Sequence, residues 1–336
     1  MRLPRIAADI TPLRESRDLR LLIAGNFISG LGTQATLVAL PYQLYVETRS
    51  PFLTGLLGAV ELVPLVSMSL LGGALADRRD RRMLLLADQV ALVVTASLLA
   101  LLAFLGSPPR TYRSTIGGLL AGFAAVQNVV RSAILPNLVA PELVNSAIDL
   151  LAMTFGMPRA LFAVLAVSVY GAGAEGTGLL YASVAAGATV AALTTGWLAH
   201  ARRLGRIVIW AVAVWGAAIA LAGLAGSLWA AAALLAVAGA ADSVSAVCRS
   251  AINQDVTPDH LRGRMSSVFM LVVASGPRLG DVEAGTAAAV GGVRFSVVSG
   301  GVACLAGVAL VVFLFPALVR YDAVEGRAQT AEAAAA

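Results

Sequence analysis

The chain has 336 residues, 59% of them hydrophobic and 13% charged, with 24 basic residues against 19 acidic ones and a net charge of +5. All 24 basic residues are arginine, and the apolar residues gather in runs of about 20 or more, which excludes an ordinary soluble domain and points to a chain that crosses a bilayer repeatedly. The two cysteines, Cys248 and Cys304, both lie inside apolar segments, so a disulfide framework or a cysteine metal site is excluded as well.

Residues 1–18 read as a polar, basic arm. The predicted spans that follow are 19–41, 52–76, 83–106, 114–135, 146–170, 177–200, 206–226, 229–251, 265–288 and 292–316. At a rise of about 1.5 Å per residue each is long enough to cross roughly 30 Å of hydrocarbon. The expected fold is an all-α membrane protein of ten transmembrane helices, ending in a disordered tail over 321–336. The first apolar run is followed by another span and not by a small-residue cleavage site, so it reads as a retained helix.

In the first span Asn26 and Gln34, set among Gly25, Gly30 and Gly32, give a small-residue face suited to close helix contact and to polar contacts in a pore. Glu61 is the tenth residue of the second span and sits near mid-depth. An ionised carboxylate facing lipid costs about 2.5–3.5 kcal/mol, so Glu61 either faces the bundle as a coupling or substrate group, or hydrogen-bonds a neighbouring helix near the kink at Pro64. Residues 73–82, GALADRRDRR, crowd six charges into six consecutive positions between two apolar runs. Hydrocarbon cannot hold such a cluster, so it marks a water-facing turn. Asp88, at the inner end of the third span, reads as part of the charge network around Asp77 and Arg78.

Arg159 follows Pro158 in the fifth span and could balance a bundle carboxylate or an anionic substrate, or form a structural pair. Asp242, fourteenth in the eighth span, is a second candidate for proton coupling. The competing reading pairs it with Arg249, two turns further along. Gly276-Pro277 is expected to bend the ninth span, and Arg278 and Asp281 then share a face at i and i+3, the spacing of an internal ion pair. His200 and His260 fall at inner loops; they make no metal site, and no cofactor is called for.

Arginine counting sets the orientation. With the N-terminus inside, eighteen arginines fall on inner segments and four (Arg49, Arg110, Arg113 and Arg294) on the outer side, so both termini are expected in the cytoplasm. An internal echo is also visible. Gly73 to Asp77 followed by arginines recurs at Gly196 to His200 followed by Arg202, Arg203 and Arg206, an offset of 123. RSAILPNLVAPELVNSA at 131–147 recurs at 249–267 with an offset near 118, the pattern of a transporter built from two similar halves.

The spacing Gly73-x3-Asp77-Arg78-x2-Arg81-Arg82 resembles the loop between the second and third helices of the major facilitator superfamily. VALPYQLY at 38–45, ELVPL at 61–65, AGAADSVSAVCRSAI at 238–252, PDHLRGRMSSV at 258–268 and GPRLGD at 276–281 narrow the resemblance to bacterial permeases of the enterobactin-exporter and macrolide-efflux type. Asp80 stands where the broad family usually has glycine. The resemblance implies that Gly73, Asp77, Arg78, Arg81 and Arg82 form a cytoplasmic gating loop that latches helix ends in one of two alternating states. DLLAMTFGMPRALF at 149–162 resembles the family's seventh helix, so the fifth and sixth helices and the central loop of a twelve-helix parent are expected to be absent, with the junction near Ser146 to Asp149. A four-helix bundle over 19–145 and a six-helix bundle over 146–320 would result.

By the same resemblance the chain is expected to be a transporter of a bacterial inner membrane and not an enzyme. It would export a small amphipathic molecule, drug or siderophore in exchange for protons, with Glu61, Asp242 and Arg159 as transport and coupling candidates. Its partners would be the bilayer, the substrate and protons, with no nucleic acid, and its oligomeric state is left open. The alternative is an inactive, truncated remnant.

Overall fold

The computed structural model describes residues 38–76, 159–256 and 262–314, with isolated positions at 83–101 and at 319. Everything described is helical or a short connection between helices. Helix α1 covers 38–48 and α2 Pro51–Ala76. Helix α3, Leu161–Val164, runs straight into a π turn over Leu165–Val169. Helix α4 is Gly173–Thr194, tightening into a 3-10 turn over Thr195–His200. Then come α5, Leu204–Leu224; α6, Leu228–Val256; α7, Arg262–Gly291; and α8, Val293–Leu314.

Local chemistry sets the element ends. Thr48 and Ser50 turn the chain between α1 and α2 around Arg49, whose φ of 52° is left-handed. The Ser50 hydroxyl accepts the Leu53 N–H at 3.3 Å, and Pro51 takes the first helical position, where its missing N–H leaves nothing unsatisfied. Ser227 caps α6 in the same manner, accepting from Ala230 N–H at 3.2 Å. Between α7 and α8 the chain reverses in one residue, Gly292, at φ +85°. Inside the apolar helices the hydroxyls of Thr177, Ser183 and Thr189 each donate to the carbonyl four residues back, at 2.9, 2.7 and 2.8 Å, so none is stranded where water is absent.

The expectation of ten spans is corrected here. Among the described residues four helices are long and apolar enough to cross a membrane: α4, α5, α6 over Leu228–Ile252, and α8. Helix α2 is 26 residues long, and the part of it whose side chains are described, Pro51–Val63, is apolar. Helix α7 carries Pro277, Arg278, Asp281 and Glu283 within the expected span 265–288. The described part of 146–170 is a four-residue α-helix and a five-residue π turn. The ranges 83–106 and 114–135, apart from isolated positions, and most of 19–41 lie outside the described residues. What stands is an all-α, multi-pass membrane protein. Its large apolar side chains Trp210, Trp229, Val290 and Phe313 point outward, as suits a hydrocarbon surrounding.

The helices pack in pairs: α4 on α6, α5 on both α6 and α8, and α2 on α7. Glycine makes two of these pairings close. A Cβ added at Gly187 would land on the Ala236 carbonyl, and one at Gly239 on the Val184 carbonyl, so α4 and α6 meet backbone to backbone. Likewise a Cβ at Gly285 would stand 2.8 Å from the Gly55 Cα, between α7 and α2. The main core fills the space among α4, α5, α6 and α8, with Leu180, Ile219 and Leu235 fully buried. A smaller cluster of Tyr45, Leu161, Val164, Ala284 and Ala288 ties α1 and α3 to α7.

Candidate functional site

Where α2, α3, α4, α6 and α7 converge they leave a cavity of about 230 Å³. Five ionisable residues singled out in the sequence line it: Glu61, Arg159, Asp242, Arg278 and Asp281. They come from four elements and from positions up to 220 residues apart, from Glu61 to Asp281, so the fold collects them.

Each is placed by a specific contact. The glycine seam between α2 and α7 brings Gly58 so near that an added Cβ would stand 2.5 Å from the Arg278 carbonyl oxygen. One turn further along α2, Glu61 faces Arg278, with its Oε2 3.5 Å from the Arg278 Nε. Both side chains are largely buried, at 10% and 18% exposure, so the pair works in a medium of low dielectric. Asp281, one turn beyond Arg278, accepts the Ala160 N–H at 3.0 Å through Oδ1. Ala160 opens α3 without a side-chain cap of its own, so the α7 carboxylate satisfies that N–H from across the cavity. The Arg159 carbonyl accepts the Tyr181 hydroxyl at 2.6 Å, fixing α4 to the start of α3. The Tyr181 ring meets Phe162 edge-on, centroids 5.1 Å apart at 72°.

Asp242 opens onto the cavity from α6 and is 31% exposed. Behind it, Arg249 is buried at 3% exposure, 3.8 Å from Asp242 Oδ1 through Nη2, while its Nη1 donates to the Ser245 hydroxyl at 2.6 Å. Three carboxylates (Glu61, Asp242, Asp281) and three guanidiniums (Arg159, Arg249, Arg278) thus gather in and beside one cavity, formally balanced. Such a set can hold a polar or charged guest, and it can exchange an ion pair for a protonated carboxylate when an arginine is drawn away. Among the described residues no group of three or more His, Cys, Asp or Glu could hold a metal ion.

Of the remaining sequence candidates, Gly73 falls in the last turns of α2. Asn26, Gln34, Asp77, Arg78, Arg81, Arg82 and Asp88 lie outside the described residues. The sequence reading missed Tyr181, Phe162 and the Ala160 N–H. Tyr181 had a signal: it is the one residue with a polar ring in a stretch of alanines, glycines and leucines, and a buried phenol needs a partner. Ala160 had none, because a backbone donor is invisible to residue type.

Residues 7–172 match the transmembrane secretion effector family of the major facilitator superfamily. The chain is 33% identical over 124 residues to the enterobactin exporter EntS of Salmonella choleraesuis (strain SC-B67), and to the same degree to that of Salmonella typhi. The aligned stretch is 36% of this chain and spans only 29% of the length of either relative. Over that part of its length, and at low identity, the chain is related to the membrane transporters of the major facilitator superfamily and to bacterial exporters among them.

Proposed function

We propose that this protein is a proton-coupled exporter of a small amphipathic molecule, drug or siderophore-like, that works by alternating access in a bacterial inner membrane with both termini in the cytoplasm. The observation that carries the reading is the buried Glu61–Arg278 pair across the seam of α2 and α7, facing Asp242 over a cavity that also holds Arg159. A proton taken up by Glu61 weakens its hold on Arg278, and a guest that pairs with Arg278 or Arg159 does the same from the other side. Proton and guest then compete for one set of charges, which is the requirement for exchange. The cavity's apolar wall, with Phe162 and Tyr181, would take the apolar face of an amphipathic guest. The similarity to exporters of enterobactin supports the direction of transport and a guest of this chemistry.

The test is efflux from cells expressing the chain, on a panel of drugs and siderophores at two external pH values. Compared at matched membrane abundance, Glu61→Gln and Asp242→Asn are each expected to lose pH-dependent efflux; undiminished pH-dependent efflux by both would refute the coupling role. A second reading, an inactive remnant, rests on the expected junction near Ser146 to Asp149, where by the resemblance two helices and a linker of the twelve-helix pattern would be absent. Restoring those helices at matched abundance separates the two. Equal efflux with and without them favours the exporter, and efflux by the restored form alone favours the remnant.

A further inference from the structure

On the outer side of the bundle α5 and α6 enclose a second hollow, a groove of about 490 Å³ lined by Ile207, Trp210 and Val214 on one wall and Val237, Ala241 and Val244 on the other. It shares no residue with the central cavity. Arg203 and Arg206 stand at one end, both exposed, and no carboxylate is among the lining residues. The Arg206 Nε donates to the Val319 carbonyl at 3.3 Å, which fixes that guanidinium at the groove mouth. Trp210, one turn further along α5, is 72% exposed.

The groove combines two features that belong to one kind of ligand. Its basic end offers two guanidinium forks, which match phosphate oxygens in geometry and charge. Its body is apolar and runs from Arg203 to Val214, eleven residues or about 16 Å of helix rise, roughly half of a 30 Å hydrocarbon core. An acyl chain starting at headgroup depth and ending near the midplane has that length. An indole beside the basic end suits the same boundary. We propose that this groove binds an anionic phospholipid of the cytoplasmic leaflet, with its phosphate on Arg203 and Arg206 and one acyl chain laid between α5 and α6.

The experiment is native mass spectrometry of the full chain released from vesicles of equimolar phosphatidylglycerol and phosphatidylcholine. Two arginines at a membrane surface give an expected preference for phosphatidylglycerol of about thirtyfold. Arg203→Gln with Arg206→Gln should abolish the preference, and Ala240→Leu, which fills the groove from its α6 wall while leaving both arginines, should abolish it too. Arg202→Gln, outside the lining, should leave it intact. A wild-type ratio in the double arginine variant overturns the site. A normal ratio in Ala240→Leu, or loss in Arg202→Gln, overturns it equally, because attraction would then come from the basic loop as a whole and not from a groove that seats a chain.

Discussion

Glu61 and Arg278 are each costly in a membrane interior without the other, and their 3.5 Å approach makes them interdependent. Removing one partner strands the second charge. Arg278→Gln is therefore expected to destabilise the protein by about 3–5 kcal/mol, read as a lowered thermal midpoint in detergent. The double variant Glu61→Gln with Arg278→Gln should recover most of that loss, because two neutral amides replace two charges. No recovery would mean that Arg278 is held by something other than Glu61. The Asp281 carboxylate has a different task, accepting a backbone N–H at the start of α3. Asp281→Ala should cost about 1–3 kcal/mol through the orphaned donor, with Asp281→Asn, which keeps an acceptor, costing clearly less. At this scale the sequence was informative about residue type: a carboxylate or guanidinium in an apolar run must have a partner. Its silence was about which partner. Arg278 and Asp281 stand one turn apart on α7, and Arg278 also reaches Glu61 on α2 while Asp281 accepts from Ala160 at the start of α3, partners that spacing along the chain does not reveal.

At the scale of elements, small residues decide which helices meet. α4 and α6 approach through Gly187 and Gly239, each lying on a backbone carbonyl of the other helix. Gly187→Val should force the two apart and lose the native fold or lower its stability by about 1–3 kcal/mol. By contrast, Gly178 of the same helix has open space around it and should tolerate alanine with little change. A melting experiment on both variants checks the contrast, and equal losses would contradict the packing. Two elements depart from the apolar runs expected of them. Hydropathy read along the chain registers apolar runs, not whether the helix beneath them is continuous and uncharged. The π turn at Leu165–Val169 and the charged face of α7 both sit inside runs that look like spans. Helices α4, α5, α6 and α8 were legible because each keeps a long apolar run with few charges, Asp242 and Arg249 of α6 included.

For the whole molecule, the orientation proposed from the arginine asymmetry can be read with a probe. The wild-type cysteines, Cys248 and Cys304, are buried and should stay silent toward a membrane-impermeant maleimide. Gly226→Cys, in the exposed turn between α5 and α6, should be labelled on intact cells, and Arg202→Cys only after permeabilisation. The reverse pattern would invert the assigned orientation.

The contact between Gly55 and Gly285 also has a mechanical meaning. Backbones touching with no side chain between them resist sliding, since a shift of one residue drives a Cβ into a carbonyl, and a small tilt about the seam is the motion such a contact leaves. α2 and α7 would then act as an axle. Glu61 lies six residues from Gly55, about 9 Å along the helix, so a tilt of roughly ten degrees displaces it by about 1.5 Å. That is enough to break a contact of 3.5 Å and too little to carry the two charges beyond each other's field. A bearing placed so close to its latch makes the ion pair a detent that a small rotation can release and reset.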